Sequence, residues 1–229
     1  RIYVMNTIVG MLIVLGVAVL SLFKGSEFIT SILVVPEIST MLEAEKLSAL
    51  IACGTLIITI FGIGLTCTTM SSISLEGTNL WIKKTLPVSE KEIFKAKIIS
   101  NLILTIPAAI LSNIIFYMAL KFDVIYLMLN IIITIVFSVL NAVLGLLINV
   151  YFPKLDWSNP TVVVKQSAAV FIGLVVTFAS IALPIAAFLL LKVENILMFL
   201  SFLAIIFLAV AFIAWNILIT KGVKQFKML

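Results

Sequence analysis

The chain has 229 residues, 63% of them hydrophobic and 11% charged, with a mean hydropathy of +1.33 and a formal net charge of +5. A soluble domain of this length cannot hide so much apolar surface, so the composition excludes the soluble classes and requires exposure to lipid. The apolar runs are long and unbroken rather than short and alternating, which excludes a transmembrane barrel and leaves an all-α, polytopic helical membrane protein.

The first residue is Arg1, an apolar run begins at once, and no signal-peptide cleavage pattern follows; the start reads as an N-terminal truncation. Six spans of the length needed to cross the hydrocarbon core are predicted, at about 2–23, 49–70, 98–120, 124–152, 168–191 and 196–220, forming one transmembrane domain. Segment 26–35 is too short to span and ends before Pro36, so an interfacial or re-entrant piece is expected there. In the second span Gly54, Gly62 and Gly64, beside Thr66, Thr68 and Thr69, suit close helix packing. Cys53 and Cys67 lie in that same span, roughly 21 Å apart along a helix, which excludes a disulfide between them.

Lysine and arginine set the expected orientation. Arg1, the loops 71–97 and 153–167, and the C-terminal tail together carry 11 of the 15 positive charges. That side is therefore expected to be cytoplasmic, with both termini inside and Trp81, Trp157 and Trp215 as interfacial anchors. On the opposite side the connections KFDV (121–124) and KVEN (192–195) are so short that spans 3–4 and 5–6 are predicted to be tight antiparallel hairpins. Asp123 and Asn195 are candidate helix caps. The two turns read alike, either through an internal repeat or, more simply, through convergence on cap residues. Pro107 and Pro184 fall inside spans 3 and 5, where each frees a backbone carbonyl and makes a candidate hinge.

The chain has no histidine, which removes the commonest metal ligand and general base. No acid or base falls near the centre of a span, which argues against a self-powered carrier. No GxxxxGK[ST] pattern and no catalytic constellation occur, so neither ATP binding in this chain nor an enzyme is expected. Asn101 and Asn113 in span 3, and Asn141 and Asn149 in span 4, either line a path or join helices by hydrogen bonds; Asn141 and Asn149, eight apart, share a helix face.

The charged island 71–97 has explicit local grammar. Gly77 predicts a turn, LEGTNLWIKKTL a short amphipathic helix, and Pro87 a stop. Ser89 with Glu92 forms a capping box, and Val88 with Ile93 a hydrophobic staple, so a new helix starts at Ser89 and runs into span 3. The product is an elbow of two helices.

The stretch EGTNLWIKKTLPVSEKEIFKAK resembles the cytoplasmic segment between the second and third spans of type-2 (exporter) ABC transporter permeases, with Glu76, Gly77, Leu86, Pro87, Ser89 and Lys97 at the motif's places. The loop FPKLDWSNPTVVVKQS looks like that of an ABC exporter branch of Firmicutes-like bacteria, and the resemblance extends through the six spans. It implies a permease subunit, multi-pass in a bacterial plasma membrane, that moves an unidentified substrate. The elbow would dock on a separate cytoplasmic ABC ATPase that binds the ATP, beside a second permease copy or half; no cofactor in this chain and no nucleic acid are implied. The chain departs from the family pattern in having only KVEN between spans 5 and 6, where re-entrant helices are common. The competing expectation is a non-transporting scaffold whose basic loops recruit a cytoplasmic partner or anionic lipid.

Overall fold

The structure, a computed structural model, describes residues 2–33 and 44–229, with side chains described for 8–23 and 46–229. Among these residues every regular element is helical: α1 (Ile2–Leu33), α2 (Ala44–Leu65), α3 (Leu80–Thr85), α4 (Glu90–Leu120), α5 (Val124–Tyr151), α6 (Pro160–Gln166), α7 (Ala168–Leu190), α8 (Ile196–Ile217) and α9 (Val223–Met228). Short 3-10 turns cover Thr68–Met70 and Ser74–Asn79, and a π turn, Leu218–Gly222, joins α8 to α9. Five stretches, beginning at Lys46, Glu90, Val124, Pro160 and Ile196, are long and apolar enough to cross a bilayer. The described part of α1, Ile8–Phe23, is apolar but shorter.

Two expectations about the first spans change. Helix α1 does not end near residue 23; it continues unbroken to Leu33, so most of the short segment 26–35 belongs to it. No proline interrupts it before Pro36, and Gly25 alone costs only about 1 kcal/mol. Pro36 itself lies outside the described residues. Conversely, α2 stops at Leu65, inside the apolar run expected to continue to 70. Cys67 is extended (φ −69°, ψ 97°), and the backbone that leaves the helix finds partners in neighbouring helices. Irregular backbone at membrane depth survives only where protein covers it, and Thr66, Thr69 and Met70 are all buried.

The small residues of α2 act as the sequence predicts. A Cβ on Gly10 of α1 would collide with the Gly62 carbonyl, one on Gly62 with Val14, and one on Gly64 with Thr177 of α7. Thr66 fastens the first contact by accepting from the Met11 amide at 2.9 Å. Helix α5 stands at the centre, packed by α2, α4, α7 and α8. One apolar core fills the space among α1, α2, α4, α5 and α8, centred on Phe116, Ile133 and Phe137. A second core, with Ile73, Phe94, Leu146, Leu218 and Phe226, lies at the lysine-rich end.

The two short hairpins differ. Asp123 and Asn195 both cap the helix that follows, accepting from Ile125 N at 3.5 Å and Met198 N at 3.0 Å. Helices α4 and α5 then pack along each other. Helices α7 and α8 touch near their turn, where the Phe188 and Phe199 rings stand 5.3 Å apart, and diverge below it, leaving a cavity of about 930 Å³. The expected tight 5–6 hairpin is therefore open, because α7 leans on α2 and α5 while α8 packs on a different side of α5. Pro107 and Pro184 sit within helices that continue through them, Pro184 on the wall of this cavity.

Candidate functional site

The island 71–97 folds as the elbow its punctuation predicts. Gly77 takes φ 53° and ψ −136°, a conformation that glycine adopts far more readily than other residues. The chain turns there and enters α3, with Leu80 buried beneath it. Leu86, held extended by the proline after it, ends the first arm. The second arm opens with the complete capping box. The Ser89 amide donates to Glu92 Oε2 at 2.8 Å and the Glu92 amide to Ser89 Oγ at 3.3 Å.

Four sets of contacts fix this elbow to the bundle. On α4, the Lys97 ammonium reaches back to Glu76 Oε1 at 2.8 Å and to the Ser72 carbonyl at 2.7 Å, and Lys83 adds a second, longer pair to Glu76 at 3.4 Å. Burial pushes the Glu76 carboxyl up, but the hydrogen bond and charge of Lys97, with Lys83 behind them, outweigh it. Glu76 therefore titrates below its ordinary value and stays ionised. Also on α4, Asn101 Oδ1 accepts from the amide and the hydroxyl of Thr68 at 2.8 and 2.9 Å, taking the place of the bonds lost where α2 unwinds.

The third set centres on Ser74. Asn149, near the end of α5, accepts from the Ile73 amide at 2.7 Å and the Ser74 amide at 3.1 Å, and donates to Ser74 Oγ at 2.7 Å. From the second loop, the Lys154 amide donates to the same hydroxyl at 2.9 Å and Trp157 Nε1 to the Ser74 carbonyl at 2.7 Å. A Cβ on Gly77 would stand 3.1 Å from Trp157 Nε1, so a side chain here would be strained by its backbone and would also crowd this indole. The fourth set is α9: Phe226 packs edge-on against Phe94 at 5.4 Å, and Lys227 pairs with Glu90 at 3.4 Å.

Among the described residues the tip of the elbow exposes apolar side chains, of which Leu86 and Val88 also line a cleft shared with Ile8, Glu76 and Lys97. Trp81, Ile82, Leu86 and Val88 are 63%, 46%, 48% and 47% exposed, with Lys83 and Lys84 among them. Pro87 is exposed beside them.

Of the sequence-derived site residues, Glu76, Gly77, Lys97 and Asn149 converge on the inner side of the elbow, while Leu86, Pro87, Ser89 and Glu92 form its outer bend. Asn141 and Asn149 share a face as predicted; Asn141 donates to the Ile63 carbonyl of α2 at 3.2 Å. Asn113 donates to Ala109 of its own helix at 2.8 Å. All four asparagines are at most 3% exposed, and three of them bond to a neighbouring segment. Ser74, Trp157 as its partner, and Phe94 with Phe226 were not singled out in the sequence. The short helix α6 was also not foreseen, although Asn159 followed by Pro160 is a cap and first-turn signal; Asn159 accepts from Thr161 N at 2.9 Å.

No family model, no curated protein and no solved structure matches the chain. Its class rests on the fold: a membrane-embedded, multi-pass helical bundle whose lysine-rich segments gather at one end.

Proposed function

We propose that this chain is the permease subunit, or half-subunit, of an ABC exporter in a bacterial plasma membrane. In this reading the lysine-rich end faces the cytoplasm, a separate ATPase hydrolyses ATP, and a second copy or half completes the translocation path. The observation that carries the reading is a rigid elbow, fixed to α4 and α5, that presents an apolar tip flanked by lysines. The resemblance of residues 76–97 to exporter coupling segments supports it.

The mechanism follows from where the elbow is tied. A partner that grips Trp81, Ile82 and Leu86 and then moves transmits the displacement through Lys97 to α4 and through Asn149 to α5. The two helices are driven together rather than separately. Pro107 and Pro184 are the positions at which α4 and α7 bend in response, since neither proline can donate to the preceding turn.

Trp81→Asp, Ile82→Asp and Leu86→Asp together alter only exposed positions, so insertion and folding should persist. Co-purification of a Walker-A-bearing subunit from the native host should be lost; unchanged co-purification would rule the elbow out as its dock. The scaffold reading is favoured by a single feature, a tryptophan beside lysines, which also suits a lipid interface. It is supported instead if the triple variant releases the elbow from anionic vesicles and no ATPase accompanies the wild type.

A further inference from the structure

The cavity between α7 and α8 meets the coupling reading only at Pro184 on its wall, and its chemistry is distinct from that of the elbow. One wall is the α7 stripe Val176, Ser180, Leu183 and Ala187, the other the α8 stripe that includes Phe202 and Ile206, and Leu144 of α5 lies at the floor. Its volume of about 930 Å³ lies near the upper end of the range of roughly 300–1,000 Å³ typical of small-molecule sites. The Ser180 hydroxyl is already committed to the Val176 carbonyl at 2.8 Å, so it leaves the wall effectively apolar. Water has too few partners to fill such a space, and the walls belong to two spans, so the occupant must come from the bilayer.

Polar character appears only at the turn end. Among the described residues Glu194 is the one ionisable side chain lining the cavity, and exposed Lys192 lies two residues before it in the same turn. A carboxylate at the mouth of an apolar cleft matches the ammonium of an amine-bearing amphiphile. A helix from a second copy fits less well, because close helix contact needs small residues on both walls and α8 offers Met198, Phe199, Phe202 and Phe207. The flexible Met198 side chain adapts readily to an acyl chain, and the aromatic faces offer it broad apolar contact.

We infer that the α7–α8 cleft binds an amine-bearing, phosphatidylethanolamine-like lipid, with its acyl tails between the two helices and its ammonium at Glu194. This goes beyond the coupling proposal and does not depend on it.

The test uses the full chain in nanodiscs, without an ATPase, containing either phosphatidylethanolamine or phosphatidylglycerol with a photoreactive acyl chain. Cross-linked peptides are then mapped by mass spectrometry. Leu144 is the diagnostic position, since only a tail inside the cleft reaches it. Labelling of Leu144 by the amine-bearing lipid should exceed that by phosphatidylglycerol. Ala187→Trp and, separately, Ala179→Trp should reduce it about tenfold with melting temperature retained. Glu194→Gln should bring the two lipids level, a change of roughly threefold for an exposed ion pair. The inference is overturned if Leu144 is unlabelled, if labelling falls equally on the outward residues Ile205 and Phe212, if both filling variants leave Leu144 labelling unchanged, or if intact-mass measurement finds a second copy seated in the cleft.

Discussion

The two hairpins of this molecule begin alike and end differently. Each turn starts with a left-handed lysine, Lys121 at φ 50° and Lys192 at φ 47°, and each is followed by a capped helix. Yet α4 and α5 close on one another, whereas α7 and α8 splay around a cavity. Over the most apolar window of the α5 span 56% of residues are buried; over that of the α7 span the figure is 17%. Turn length therefore fixes only where two helices start. What they do afterwards depends on the groups they present: asparagines of α4 and α5, with Lys97, bond to α2 and to segment 68–76, which ties the two helices through a third, while α7 and α8 present aliphatic and aromatic side chains to each other.

If polar bonds hold the closed side together, cutting them should be costly there and nearly silent on the open side. The largest effect is expected from Asn149→Ala, which strands the buried Ile73 and Ser74 amides and removes one of the two donors to the Ser74 hydroxyl. A loss of about 3 kcal/mol should appear in unfolding from detergent micelles. Gly77→Ala should follow at about 2 kcal/mol, because the positive φ strains any side chain and this one also meets Trp157. Lys97→Met should cost about 1 kcal/mol, less because Glu76 keeps some water. The same brace predicts a pH dependence. The Glu76 carboxyl is lowered, so its contribution is present above the ordinary value of 4.5 and is lost as the pH falls through the lowered one. Wild type should therefore lose stability on acidification over that window, and Lys97→Met should lose less.

Ser89→Ala should cost about 0.5–1 kcal/mol through the missing cap. Ser180→Ala, on the open side, removes only a bond within its own helix and should stay within about 0.5 kcal/mol. A Ser180 effect as large as that of Asn149 would erase the distinction between the two sides.

Local features of the sequence carried through to the structure, and long-range ones did not. Ser89 with Glu92, Asp123 and Asn195 act through neighbours a few residues away and Gly77 turns through its own backbone, so their pattern suffices to read them; the Trp157 contact of Gly77 is not legible in this way. The unwinding of α2 after Leu65 was hidden, since it depends on Asn101 and on the hollows at Gly145 and Gly173, into which Thr69 and Met70 fit. Ser74 was hidden for the same reason: its partners lie 75 to 83 residues away, and nothing in a serine announces them. Hydropathy marked the long apolar helices but not how far α7 and α8 stand apart, because lipid and protein cover an apolar side chain equally well.

We propose the exposed tip of the elbow as the dock for an ATPase. A photoreactive amino acid placed at Trp81, at Leu86 and, as a lipid-facing control, at Ile205 tests it most directly in cells of the native host. The account predicts a cross-linked product containing a Walker-A-bearing polypeptide from positions 81 and 86 and none from 205. Lipid adducts alone at positions 81 and 86 would contradict it.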